Sequence, residues 1–219
     1  KYYLFNKEIC MPKKILLGLT VMLALVGCGN KDENATKDKA SVGEVVSGIS
    51  KLNDMADTTK GLEKHIAELQ KMSSITNDQF KSVLPESLGG IERTSFEVNN
   101  SMGLQTVSAE FKKETQYYKL NIYDGAGEMG SAMYGMAALA GAMGTESESQ
   151  TGYTKPFSIG DNQGSEKQDK TNPENVSNEV TLTVANRFVL TVKSVGMDMD
   201  SLKDAIKNSN IINKLESLK

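Results

Sequence analysis

Tyr117–Gly144 reads YYKLNIYDGAGEMGSAMYGMAALAGAMG, and the fold turns on how this stretch is read. Tyr118, Leu120 and Ile122 alternate with polar residues, the period of a strand with one buried face. A glycine turn follows, and then a segment of methionine, alanine and glycine with no charge past Glu128. Met129, Met133, Met136 and Met143 recur at helical spacing, beside a second row of Gly130, Ala137, Gly141 and Gly144. Small residues admit a neighbouring backbone closely, and methionines fill irregular gaps. Each interior glycine costs about 1 kcal/mol in a helix, so tertiary burial must hold this one. Its four methionines are expected to meet either the sheet or a ligand or partner: another protein, a lipid or a second copy.

Outward from this rod the chain reads as sheet. Ile91–Val98, Leu104–Lys113 and Thr115–Tyr123 form a predicted meander around turns at Asn99–Gly103 and Lys113-Glu114. Beyond the helix, Gln150–Ile159 and Gln163–Gln168 are predicted short strands. Glu179–Val184 and Arg187–Val195 form the clearest pair, turning at Ala185-Asn186. Asp200–Leu218 closes the chain as an amphipathic helix carrying Leu202, Ile206, Ile212, Leu215 and Leu218, with Asp198 or Asp200 as its cap. Strands interrupted by one helix and closed by another predict an α+β fold. The sheet is antiparallel, the methionine-rich and C-terminal helices lie together on one face, and an N-terminal helical segment precedes it, at residues 42–76, with the α+β domain at 77–219.

In that segment Val42, Val45, Ile49, Leu52 and Ala56 are spaced by threes and fours, and Leu62, Ile66, Leu69 and Met72 continue the row. A continuous helix there would reach about 46 Å, with Gly61 a place for a kink. So narrow a stripe is expected to pack on its own domain, or on another copy as a coiled coil. His65, the single histidine, is expected to be solvated on a charged helix face.

Upstream the sequence speaks of an address. Met11-Pro12-Lys13-Lys14 precedes the apolar run Ile15–Gly27, which is too short to span a bilayer at about 20 residues but suits a signal-peptide core. Translation is expected to begin at Met11, with Lys1–Cys10 an upstream artefact and residues 11–27 the signal peptide. Leu25-Val26-Gly27-Cys28 resembles the lipobox of bacterial lipoproteins. The resemblance implies cleavage before Cys28, diacylglycerol on its sulfur and an acyl chain such as palmitate on its amino group. At about 0.8 kcal/mol per buried methylene, two or three chains give near-permanent membrane attachment. Gly29 stands where an aspartate would resemble an inner-membrane retention signal, so the outer membrane is expected, facing the periplasm or the surface. Lys31-Asp32-Glu33 is similar to the lysine-plus-two-acids export signal of some surface-displayed bacterial lipoproteins. Residues 28–41 form the lipidated cysteine and a polar tether.

The remaining composition narrows the chemistry. A formal charge of −3 over 219 residues, with no basic face, argues against nucleic acid as a partner. Cys28 is consumed by lipid, so thiol catalysis and cysteine-held metals are not expected. Gly125-Ala126-Gly127-Glu128-Met129-Gly130 matches a dinucleotide fingerprint. The strand before it alternates, however, and it follows a meander instead of opening a βαβ unit. Glu110, Glu114, Glu128, Glu146 and Glu148 offer no acid/base pair, and Asp161–Asp169 lacks calcium-loop spacing. No cofactor, metal or catalytic residue is therefore assigned. Finally, Leu84-Pro85-Glu86-Ser87-Leu88-Gly89-Gly90-Ile91-Glu92-Arg93, with Arg187-Phe188-Val189 later, is similar to an uncharacterised domain of exported bacterial proteins, over about Val83 to Ser194. That resemblance implies no activity. The expected function is a membrane-anchored, non-enzymatic binding or scaffolding module, or else a carrier or sensor of a small hydrophobic ligand using Met129–Met143.

Overall fold

The structure, a computed structural model, describes residues 59–219. The expectations for Lys1–Cys10, the signal peptide, Cys28, the tether and the helix from Val42 to Thr58 lie outside the described residues.

Helix α1 occupies residues 59–69, and α2 spans Asn77–Val83. Thr76 caps α2 with a capping box: its hydroxyl accepts from the Gln79 amide while the Gln79 side chain accepts from the Thr76 amide. The strands are β1 (Ser87–Leu88), β2 (Ile91–Ser101), β3 (Leu104–Lys113), β4 (Gln116–Asp124), β5 (Ser147–Ser149), β6 (Gly152–Ile159), β7 (Asn162–Asp169), β8 (Ser177–Val184) and β9 (Phe188–Val195). Helices α3 (Gly127–Ala142), α4 (Met199–Asn208) and α5 (Ile211–Glu216) complete the order. All strands join one antiparallel sheet in the order β1-β2-β3-β4-β9-β8-β7-β6-β5. Two meanders thus run inward from opposite edges and meet at β4 and β9. Helix α3 carries the chain from the centre to the far edge between them.

The α+β class with helices on an antiparallel sheet is as expected, but the two main helices do not share a face. Register decides this. Val107 pairs with Ile122, Ala109 with Leu120 and Phe111 with Tyr118, while Leu190 and Val192 pair with β4 and β8 at the same level. These side chains form one core with Phe80 and Val83 of α2, Leu202 and Ile206 of α4, and Ile211 and Leu215 of α5. Tyr123 and Val189, one residue out of phase, point the other way and meet Tyr134 of α3 and Leu62 and Leu69 of α1. The sheet is therefore covered on both faces, by α2, α4 and α5 on one and by α1 and α3 on the other.

Two further expectations change. The predicted continuous C-terminal helix breaks at Asn210, which takes a left-handed φ of 58°. The step from Ile206 to Ile212 skips the three-or-four rhythm, and the break lets both Ile211 and Leu215 reach the core. Asp198 caps α4, accepting from the Ser201 amide at 2.7 Å. His65, for its part, is only partly solvated: its ring is edge-on to Tyr134 at 5.4 Å, and Nε2 lies against the Asn186 carbonyl.

Strand β7, expected over Gln163–Gln168, extends one residue further at each end, and in its polar sequence NQGSEKQD Asn162 and Glu166 are buried on the core side. Asn162 donates to Glu216 (3.0 Å) and accepts from the Ala185 amide (3.2 Å). Glu166 receives Lys203 of α4 at 2.6 Å, Lys155 at 3.1 Å and the Tyr153 hydroxyl at 3.2 Å. Burial pushes the Glu166 carboxyl up, but the bonds from the two lysines outweigh it and hold the group below its ordinary 4.5. A folded-state value below the unfolded one means stability that is present above pH 4.5 and lost as pH falls through the folded value. The Glu166→Gln variant is accordingly expected to show a shallower fall of the urea midpoint on acidification than the parent. Parallel midpoints would remove Glu166 from the acid limb.

Candidate functional site

Helix α3 is held from three directions. Gly130 sits so close to β4 that a Cβ there would lie 2.4 Å from the Asp124 carbonyl oxygen, and one on Gly125 would lie 2.4 Å from that of Arg187. A Cβ on Gly135 would meet Ile66 of α1, and one on Gly141 would touch Gly164 of β7 at 3.4 Å. The small residues are thus the packing surface, together with the buried Ser131 and Tyr134.

What remains faces outward. Met136 is 61% exposed, Met143 57%, Leu139 42% and Met129 39%, a row at intervals of seven, three and four along one side of the helix. Met133, between Met129 and Met136 in the helical spacing, is half-buried. The structure therefore exposes Met129, Met136 and Met143 together, half-buries Met133 and adds Leu139, which the spacing of methionines alone missed. No acidic or basic side chain interrupts the row after Glu128. Five surface depressions of 210 to 550 Å³ are open and lined largely by polar groups, and none is lined by a methionine of α3.

The N-terminal end of α3 carries the glycine pattern, and its chemistry is already satisfied. Asp124 is fully buried, with Oδ1 accepting from Arg187 Nε (2.7 Å) and the Ala126 amide (3.1 Å). Its Oδ2 accepts from Arg187 Nη2 (2.8 Å) and from the Ile75 amide (2.8 Å). Arg187 Nη2 also donates to the Ser73 carbonyl at 2.9 Å. A carboxylate thus stands where a bound phosphate would need positive potential. The pair instead clamps the loop from Ser73 to Ile75, where the chain passes from α1 on one face to α2 on the other.

The Leu84–Arg93 motif is likewise structural. Gly89 and Gly90 take φ of 58° and 78°, and Gly89 lies flat on the Tyr118 ring, where a Cβ would fall 2.5 Å from the hydroxyl. Arg93 closes the turn through Nη1 on the Pro85 carbonyl, 3.1 Å. The Tyr117 hydroxyl donates to Glu110 at 2.9 Å, and burial, aided by that bond and the Glu110 charge, pushes the phenol up to about 12. Among the described residues no group of three or more His, Cys, Asp and Glu side chains could hold a metal, and no helix is long and apolar enough to cross a membrane.

Compared with protein-family models, with curated proteins and with solved structures, the chain matches none. The functional reading therefore rests on the sequence and on the geometry above.

Proposed function

We propose that the protein is a lipid-anchored lipoprotein of the bacterial outer membrane, acting as a non-enzymatic binding or scaffolding module for another envelope component. The observation that carries the binding half is the outward row of Met129, Met136, Leu139 and Met143 on a helix clamped to a rigid sheet. Unbranched, polarizable methionines adapt to partner surfaces without a fixed complementary shape, and a rigid mount limits the entropy lost on binding. The anchor half is supported by the lipobox-like Leu25-Val26-Gly27-Cys28. A carrier of a small hydrophobic ligand would need an enclosed apolar cavity, and the methionines point to solvent.

Each half has its own test. Cys28→Ala in the full-length chain is expected to shift the protein from the membrane pellet to the soluble fraction; unchanged fractionation would falsify the anchor. The double variant Met136→Lys/Met143→Lys is expected to leave stability within about 0.5 kcal/mol of the parent, because both side chains are exposed. The same variant should abolish complexes trapped by cross-linking in the envelope. Intact complexes at unchanged stability would move the contact surface elsewhere, and a lipid mass retained in native mass spectrometry would favour the carrier.

A further inference from the structure

The two edges of the sheet are not alike. At one edge β5 is 3 residues long, too short to template another strand. At the other, β2 runs on well past β1. Ile91 and Glu92 pair with β1, and the Arg93 amide donates to the Glu86 carbonyl at 2.8 Å. From Thr94 to Ser101 no described strand pairs with the outer side of β2. Proteins blunt such an edge with Lys, Pro or a bulge. This stretch, TSFEVNNS, has neither residue, and its bulge lies at the Arg93–Ser95 end.

The hairpin fixes which backbone groups are free. Met102 and Gly103 have φ of 55° and 79°, the signs of a two-residue type I′ turn, so Ser101 and Leu104 form a hydrogen-bonded pair. By alternation Asn99, Glu97 and Ser95 face β3, while Asn100, Val98 and Phe96 turn amide and carbonyl outward. Phe96 and Val98 pair with Ala109 and Val107, both core residues. They therefore lie on the core face, Val98 against the core and Phe96 47% exposed at its margin.

Two copies of this edge fit each other antiparallel about a two-fold axis normal to the sheet. Outward groups meet outward groups when the axis passes through a residue instead of between two. The longest overlaps are then residues 94–100, centred on Glu97, and residues 95–101, centred on Val98. Charge decides between them. The first sets Glu97, the one charged residue of the stretch, directly against its own copy, a destabilising like pair. The second sets Glu97 opposite Asn99 of the second copy, Val98 opposite Val98, and Phe96 diagonally beside Val98.

We propose that β2 pairs with β2 of a second copy in the register centred on Val98, joining two sheets into one across residues 95–101. The surface is separate from the outward row of α3, so the two stand or fall independently. So short an overlap is below the 20–30 residues a side of a standard interface, about 800 Å² per partner. The dimer is accordingly weak and responds to concentration.

The test measures the detergent-solubilised full-length chain by sedimentation and by amide hydrogen exchange resolved to single residues. A dimer is expected as concentration rises. The Phe96, Val98 and Asn100 amides should gain protection with it, while those of Glu97 and Asn99 are protected throughout. Asn100→Pro removes an outward amide and no bond to β3, and Phe96→Lys puts a charge on the margin. Each change acts twice across the axis, and two lost bonds of ordinary strength amount to about tenfold in the dimer constant. Asn99→Glu should also weaken the dimer, by setting a carboxylate against each Glu97, and adding Glu97→Lys should restore it. That charge exchange decides the matter even where proline or lysine unfolds the strand. A monomer at every concentration, a dimer indifferent to these changes, or one lost instead in Met136→Lys/Met143→Lys would overturn the proposal. So would protection of the outward amides that does not vary with concentration, since the edge would then be covered within one copy.

Discussion

Asp124→Ala is expected to destabilise the protein by about 3–5 kcal/mol, the loss found when one member of a buried ion pair is removed. Total stabilities of about 5–15 kcal/mol are usual, so the variant would stand near the edge of folding. The reason is a matter of counting donors. Asp124 accepts from Arg187 twice, from the Ile75 amide and from the Ala126 amide. Truncation leaves a guanidinium buried without its counter-charge and two amides unpaired, each unpaired group costing about 1–3 kcal/mol. Arg187→Met alone should cost a comparable amount, because it leaves the buried Asp124 carboxylate with only the Ile75 and Ala126 amides. The Asp124→Leu/Arg187→Met double variant should recover a large part of the loss, as buried pairs replaced by apolar residues often do. Urea unfolding of the parent, both single variants and the double gives the coupling energy. Simple additivity would mean that the two residues act independently, and the clamp at Ser73–Ile75 would lose its basis.

Gly130→Ala has the second-largest expected effect, and its sign opposes helix propensity. Alanine is the better helix former by about 1 kcal/mol, so an isolated helix would gain. Here the new methyl would lie 2.4 Å from the Asp124 carbonyl oxygen and 2.9 Å from the Gly125 carbonyl carbon. Both are backbone atoms of the β4–α3 junction, with no rotamer to yield, so α3 must lift from the sheet. A net loss toward the upper end of the 1–3 kcal/mol range for overpacking is expected. Two other glycines of the helix calibrate it. Gly135→Ala meets the flexible end of Ile66 at 2.6 Å and should lose less. Gly141→Ala makes only van der Waals contact with Gly164 at 3.4 Å and should be neutral or stabilising. Thermal melts of the three variants should rank in that order. A stabilised Gly130→Ala would show that α3 stands off the sheet further than its packing indicates.

Much of this architecture was legible because the strands concerned are two-sided. In β3, β4 and β8 a buried residue follows each half-exposed one almost without interruption, and the alternation in the sequence marks both the strand and its inner face. Helix α3 was legible as a helix and as one that must pack. Which of its rows packs was not, because methionine and glycine faces are both apolar and periodicity does not rank them. Strand β7 hid its burial for the opposite reason. Asn162 and Glu166 are polar residues whose partners, Glu216, Lys155 and Lys203, come from elsewhere in the chain. The Asp124–Arg187 clamp was out of reach in the same way, its members being 63 residues apart.

The sequence by itself determined the α+β class, the strand periods, a cap at Asp198 or Asp200 and the turn at Ala185-Asn186. These depend on neighbours within a few residues, where local backbone preference and side-chain alternation act directly. Only the tertiary structure decided that β9 returns to lie beside β4, that α3 and α4 take opposite faces, and that the methionines of α3 look outward. A one-residue phase between Val189 and its neighbours Phe188 and Leu190 separates the two cores, and that phase acquires meaning only once the strands are paired. The glycines of Gly125–Gly130, which read like a phosphate loop, serve instead to bring a helix down onto a strand that already carries its own carboxylate.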